Sequence, residues 1–418
     1  MSKAAKFPKL GIVAIVEAVI IIALAVIALY PITHPPTAPP AEYKVPKLGD
    51  KFRPVPIEFI RALEKEYATI KTPRGPNNET PLSGAQLALS PEEKELAKQL
   101  KLKEYYYLVA TPDPTEILNI IGMNDVLREL GFPDTGRMDA WSISEQIAQV
   151  ETLIAKARDI SFIVGEAYEA VTLGEPFVRL ANAGVPQVHV WTTPEGLFGH
   201  PNYIGLIDAD GYAQGAIAAE ILAYMMNYRG EVGIVKFGLV QWTNVMRYQG
   251  AIDVFNKYPD IKIVAEVAFT DVGQCHDLVV GMLQAHPEID AIWATWMIGP
   301  ATGAASAIIA LGLVGQVIVA APDLGGLEGA RAIADPENPI VGAGEADLID
   351  MGRNMVYAAM KWLIGKREEV HNGYFVSRAY PVVAINLIEM WYKTGNNRYY
   401  GDLPEEVVEL LRQQLKGA

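Results

Sequence analysis

Six short segments together supply aromatic rings, carboxylates, amides and a guanidinium. They are Ala110-Thr-Pro-Asp-Pro-Thr115, Trp191-Thr-Thr-Pro194, Ile207-Asp-Ala-Asp-Gly211, Gln241-Trp-Thr-Asn-Val-Met-Arg247, Thr295-Trp-Met297 and Pro322-Asp-Leu324. A ring supplies a flat stacking face, and Asp, Asn and Arg supply fixed acceptors and donors, a combination suited to a neutral polyhydroxylated ligand. Covalent chemistry has no comparable handle: the sequence lacks a Gly-x-Ser-x-Gly elbow, a Walker-type phosphate loop and a His-Glu-x-x-His pair. Gly342-Ala343-Gly344 matches half a dinucleotide fingerprint, but Asp347 stands where the third glycine belongs, so a tight backbone turn is expected and no cofactor. The histidines His34, His189, His200, His276, His286 and His371 are scattered, and Cys275 and His276 are adjacent and project apart, so no metal site is expected.

The elements that must position these segments alternate strand, turn and helix from Tyr105 onward. Candidate strands cover 105–110, 161–164, 187–191, 203–207, 231–236, 261–268, 291–294, 317–321 and 340–343. Candidate helices include 116–130, 144–158, 177–183, 212–228, 244–257, 303–311, 350–363 and 405–414. The alternation predicts an α/β fold of parallel strands with helices on both faces, and nine strands are divided more simply between two sheets, hence two lobes, than held in one. In such a fold, ligands sit at the carboxyl ends of the strands, which is where the six segments fall.

Upstream of the lobes, 57–68 reads as a helix, and Ser90-Pro-Glu-Glu93 as the start of a second, with serine as cap and proline in the first turn. A net charge of −14 argues against nucleic acid or an anionic membrane surface as partner. The single cysteine excludes an internal disulfide. Asn78-Glu-Thr80 is an N-glycosylation triplet, a pattern that also arises by chance.

The chain begins with Lys3, Lys6 and Lys9, then an apolar run over 11–30 that is long enough for a bilayer and interrupted by Glu17. The lysine flank places the N-terminus in the cytoplasm and the main domain outside. A cleaved secretory signal is the alternative, less favoured because the run is long and ends in Ala28-Leu-Tyr-Pro31, and cleavage near Gly11 is a separate one. Lysines, a small residue and an apolar helix with one early glutamate resemble the class III, pilin-like signals of some archaeal surface proteins; a lone glutamate snorkelling or protonated near the cytoplasmic face is the simpler reading of Glu17. Eight prolines in 31–56 favour an extended, semi-rigid spacer reaching on the order of 70 Å from the membrane.

From Glu104 to about Met390 the sequence resembles the type I solute-binding proteins of ABC importers, the ribose/galactose-binding class. The resemblance is carried, in order, by Gln146-Ile-Ala-Gln-Val-Glu-Thr-Leu-Ile154, Asn182-Ala-Gly-Val-Pro-Gln-Val188, Ile207-Asp-Ala-Asp-Gly-Tyr-Ala-Gln-Gly215, Arg247-Tyr-Gln-Gly250 with Phe255 and Tyr258-Pro-Asp260, Val319-Ala-Ala-Pro-Asp323, and Trp362-Leu-Ile-Gly365-Lys366. It implies a periplasmic-binding-protein-like I fold whose lobes, 104–209 plus 344–369 and 210–343 plus 370–391, are joined by crossovers near Asp210, Ile340 and Glu369. A helical extension at 57–103 and a helical tail at 392–418 flank them. Two departures, Trp296-Met297 in place of an Asn-Asp pair and Val245 in place of an arginine, imply a ligand less hydroxylated than a simple pentose or gripped more by stacking.

The resemblance and the loop positions together nominate nine ligand-binding residues. Asp323 is expected to accept ligand hydroxyls, as the family's carboxylate does; capping the turn at Gly325-Gly326 is its other use. Trp296 and Trp191 serve as stacking walls or as core, and Arg247 bridges the cleft or anchors its helix. Asp210, with Asp208, contacts ligand or caps the helix beginning at Gly211. Asn244, Asp113, Trp141 and Asp347 complete the set. The expected partners are a sugar-like small molecule, permease and ATPase subunits, and the membrane. No enzymatic activity is expected, although a signalling receptor of the same fold and an extracellular α/β enzyme stay open.

Overall fold

Segments such as Ile160-Ser-Phe-Ile-Val-Gly-Glu166 and Ile289-Asp-Ala-Ile-Trp-Ala294 are almost continuously apolar, the pattern of strands covered on both faces. In the computed structural model, which describes residues 51–110 and 114–415, they are the central strands of two sheets. The strands are β1 (Pro81–Ser83), β2 (Glu104–Val109), β3 (Gly136–Asp139), β4 (Ile160–Glu166), β5 (Gln187–Val190), β6 (Tyr203–Ala209), β7 (Gly230–Phe237), β8 (Ile261–Phe269), β9 (Ile289–Ala294), β10 (Ile318–Ala321), β11 (Ile340–Ala346), β12 (Gly373–Ser377) and β13 (Ala379–Val383). The first sheet runs β1-β12-β6-β5-β4-β2-β3 and is parallel throughout. The second runs β13-β11-β10-β9-β7-β8 and is parallel except for β13, which lies antiparallel to β11. All nine expected strands are present, and β1, β3, β12 and β13 were not foreseen.

Each sheet is covered by a helix pair brought into backbone contact by reciprocal glycines. A Cβ on Gly215 would collide with the carbonyl oxygen of Arg247, and one on Gly250 with that of Tyr212, so the helices Gly211–Met225 and Trp242–Lys257 can approach only because both positions lack a side chain. Gly122 and Gly352 do the same for Pro114–Glu129 and Leu348–Leu363. The cores are separate. Tyr107, Phe162 and Met355 belong to a cluster around the first sheet, and Phe269, Ile292 and Trp391 to one around the second.

The chain passes between the sheets at three neighbouring points. β6 ends at Ala209, and Asp210 caps the helix that follows by accepting from the Ala213 N–H at 3.0 Å. β11 lies wholly in the second sheet, so the second passage falls at Asp347 rather than near Ile340. β12 pairs with β6 of the first sheet and β13 with β11 of the second, so the third passage is at Arg378 rather than near Glu369. The passages are hydrogen-bonded to one another, Asp210 N–H to Ser377 C=O at 2.8 Å and Asp347 N–H to Arg378 C=O at 3.4 Å.

The N-terminal extension makes a fourth passage. Its helix Ile57–Glu66 packs against the second sheet's side, with Arg61 paired to Glu389 and Glu64 to Lys393 at 3.1 Å. Ser83 and its neighbours then add β1 to the edge of the first sheet. Ser90 caps the helix Pro91–Lys98 through a full capping box, and Glu93 is held by the buried Lys361 at 2.8 Å. Between these halves, the carboxylate of Asp210 accepts from the N–H groups of Lys71 and Thr72 at 2.5 and 2.9 Å and from the Thr72 hydroxyl at 2.7 Å. The expected anchor at 1–30 and most of the 31–56 spacer lie outside the described residues; among those described, no helix is long and apolar enough to cross a membrane.

Candidate functional site

Parallel strands present their carboxyl ends to one edge of a sheet, and here those edges of the two sheets border a shared cavity of about 540 Å³. From the first sheet come Glu116 and Trp141 after β2 and β3, Glu166 and Tyr168 at the end of β4, and Trp191 after β5. The second sheet contributes Phe237 at the end of β7, Asn244 and Arg247 on the following helix, Asp271 after β8, Trp296 after β9 and Asp323 after β10.

Arg247 is the hub of the second wall. Its Nη1 lies 3.2 Å from Asp323 Oδ2 and donates to the Thr295 carbonyl at 3.3 Å, while Nε and Nη2 both donate to Gln214 Oε1 at 3.2 Å. Gln214, on the helix that leaves the Asp210 passage, donates in turn to the Gly344 carbonyl at 3.1 Å. The other carboxylate oxygen of Asp323 accepts from the Met297 N–H at 3.0 Å. Burial pushes the Asp323 carboxyl above its ordinary range while Arg247 pulls the other way. Behind it, burial and the neighbouring Asp323 charge push Glu345 up to about 8; its carboxylate accepts from the Leu324 N–H. Asn244 accepts from the Thr295 hydroxyl at 3.2 Å. Trp296 stands edge-on to Phe237 and Phe269, with centroids 5.3 and 5.0 Å away, and its indole N–H is held by the Ile298 carbonyl at 2.7 Å.

Trp191 links the walls. Its φ of +65° is a left-handed conformation that a bulky residue rarely adopts. The conformation is fixed from both sides, because the Trp191 carbonyl accepts from the N–H and the hydroxyl of Thr243 at 3.1 and 2.8 Å, and the indole N–H donates to Glu116 Oε1 at 3.1 Å. The same Thr243 hydroxyl lies 2.6 Å from the buried Asp208, which also accepts from Tyr374 at 3.0 Å and which burial pushes up to about 7.

Of the nine residues nominated from sequence, six line the cavity: Asp323, Trp296, Trp191, Arg247, Asn244 and Trp141, the last 70% exposed at the rim. Asp210 and Asp347 are instead helix caps at the passages between the sheets, Asp347 accepting from the Asp350 N–H at 3.0 Å. Their strands end one residue earlier, and in each case the backbone N–H groups of the next helix claim the carboxylate. Asp113 lies outside the described residues. Sequence reasoning missed Glu116, Glu166, Tyr168, Phe237 and Asp271. The rule of strand carboxyl ends reaches most of these, since Glu166 closes β4, Tyr168 follows it, Phe237 closes β7 and Asp271 follows β8.

Comparison with known proteins agrees with this architecture. Residues 122–367, more than half of the chain, match the family model described as a periplasmic binding protein domain. Among solved structures, an ABC transporter periplasmic solute-binding protein from Actinobacillus succinogenes with bound D-allose is 21% identical, covers 68% of this chain and 99% of its own, and superimposes with a TM-score of 0.58. One from Bacillus halodurans with bound myo-inositol is 19% identical over 71% of this chain and 99% of its own, also at 0.58. At such identities these likenesses establish a shared fold. A xylitol-binding protein from Mycolicibacterium smegmatis is 28% identical over 124 residues, a match covering 30% of this chain and 34% of that protein, so the match spans about a third of the relative's length. With its two sheets, their crossing points and the matched segment in agreement, the chain belongs to the periplasmic binding protein domain family.

Proposed function

We propose that this protein is the extracellular solute receptor of an ABC importer. It binds a small polar, sugar-like molecule between two lobes, each built around one of the sheets, and delivers the closed, loaded form to permease and ATPase subunits. The observation that carries the reading is the cavity at the carboxyl edges of both sheets, lined by the rings of Trp191 and Trp296 and by the polar side chains of Asp323, Arg247 and Asn244. Rings for stacking and fixed donors and acceptors for hydroxyls are what a polyol requires. Relatives described with D-allose, myo-inositol and xylitol support that ligand class. The apolar run over 11–30, with lysines before it and a proline-rich spacer after it, supports a membrane-tethered receptor whose N-terminus is cytoplasmic, in the manner of archaeal surface proteins.

The test is a thermal-shift screen of the full-length protein against sugars, alditols and related small polar molecules, followed by recovery of any molecule that binds. Saturable stabilisation by at least one of them, recovered chemically unchanged, is expected. Chemical turnover would make the protein an enzyme, and no stabilisation by any small polar molecule would remove the receptor reading.

A further inference from the structure

Given solute binding as the function, we infer that the ligand carries a cationic amino group alongside its hydroxyls. The cavity wall includes the carboxyl groups of Glu116, Glu166, Asp271 and Asp323, but among the described residues Arg247 is the single basic side chain that lines it. Arg247 is already committed, to Asp323 at 3.2 Å, to Gln214 and to the Thr295 carbonyl. All three of its nitrogens are thus engaged on its own wall, away from Glu116.

On that wall, Glu116 is 3% exposed and is held by neutral donors: the Tyr107 hydroxyl, the Asn119 amide at 3.1 Å and the Trp191 indole. Arg137, the basic side chain whose charge reaches it, does not line the cavity and is paired with Asp139. Burial accordingly raises the Glu116 carboxyl above its ordinary range, as expected where neutral donors rather than a cation surround the group. When the lobes close on a ligand, water leaves this space, and an excess of carboxylates becomes costly unless the occupant brings positive charge. A neutral polyol offers hydroxyl donors only, whereas an ammonium offers donors and the missing charge.

The aromatic lining points independently to a cation. Trp191, Trp296 and Tyr168 line the same space, and an aromatic face attracts a cation within about 6 Å of its centroid. Trp191 already does this for the guanidinium of Arg247, whose Cζ lies 5.9 Å from the ring centroid. A ligand ammonium reaching Glu116 from the cavity would meet its charge beside the ring of Trp191, whose indole N–H donates to the same carboxylate.

Matched pairs test this on the unmutated full-length protein by calorimetry at neutral pH: D-glucose against D-glucosamine, D-galactose against D-galactosamine, and D-sorbitol against 1-amino-1-deoxy-D-sorbitol. In the tightest-binding pair, the amine is expected to bind about tenfold or more tightly than its neutral partner, the ratio that corresponds to a single well-placed charged contact. Glu116→Gln should shrink that preference to about twofold. If that variant does not fold, Asp271→Asn, at an exposed position, should reduce the preference in the same direction. A neutral partner that binds as tightly as its amine, or tighter, overturns the inference and leaves the receptor reading intact. Absence of binding by all three amines also overturns it, and the broader thermal-shift screen then decides separately whether the protein is a receptor at all.

Discussion

The wall built on the second sheet holds its buried carboxylate, Asp323, with the guanidinium of Arg247, whereas the wall built on the first sheet holds Glu116 with a phenol, an amide and an indole. The first arrangement is complete before any solute arrives. Its charges are balanced, and its geometry is tied through Gln214 to the helix that leaves the Asp210 passage. The second arrangement satisfies hydrogen bonds without balancing charge, so its electrostatics are finished by whatever occupies the cavity. On the proposed function, the contrast separates a preformed grip that would orient the solute from an adjustable one that would select by charge.

Breaking the preformed grip should cost most. Arg247→Ala strands Asp323 and Glu345 together in a buried site, and denaturant unfolding should show a loss of about 3–5 kcal/mol. Glu116→Gln replaces one neutral-held acceptor by another and should cost about 1–2 kcal/mol. Equal losses in the two variants would erase the distinction between the walls.

A pH titration sharpens it further. The Glu345 carboxyl is raised to about 8 in the folded protein, above the ordinary value of 4.5, so its folded state holds the proton longer than the unfolded chain does. Its contribution to stability is therefore complete below the unfolded value and is lost as pH rises through the window up to about 8. Unfolding free energy should fall over that window in the natural protein, and Glu345→Gln should flatten the fall. An unchanged slope in the variant would assign the pH dependence elsewhere, Asp208 at about 7 being the next group to examine.

The smallest effect is expected at the fourth passage. Thr72→Val removes one hydroxyl donor from Asp210 and leaves the N–H groups of Lys71 and Thr72 in place, so stability should drop by about 0.5–1.5 kcal/mol. Because Asp210 sits at a passage between the sheets rather than in the cavity, ligand affinity should move by only a few fold, through the balance of open and closed forms. A loss as large as that in a cavity variant would mean that Thr72 acts on the site itself.

Most strands legible in the sequence are covered on both faces, because burial writes itself as unbroken apolar runs; β8, an edge strand with exposed positions, is legible by its length of nine residues. β3, Gly-Arg-Met-Asp over Gly136–Asp139, is an edge strand with alternately exposed positions, and β1 is a three-residue edge; neither has enough buried length to leave a pattern. β12 and β13 are separated by Arg378 alone, and nothing local says that the chain changes sheets there. For the same reason the passages expected near Ile340 and Glu369 fall at Asp347 and Arg378: composition shows where a strand starts, while the sheet it joins is decided by partners distant in sequence. At the cavity, the rule of strand carboxyl ends found both tryptophans, Arg247 and Asp323. It cannot separate a carboxylate that faces a solute from one that caps the next helix, which is why Asp210 and Asp347 resembled site residues. Glu116 lies in the first turn of its helix, where a carboxylate reads as complementing the helix N-terminus and carries no local mark of exposure to a cavity.

The most direct test of the receptor account is a calorimetric titration of the full-length protein and of its Asp323→Asn variant, which keeps an acceptor for the Met297 N–H, with the tightest-binding solute of the screen. One solute per chain is expected, with an affinity about tenfold to a hundredfold weaker in the variant when both proteins are titrated well below their melting temperatures. Equal affinity in the two proteins would contradict it.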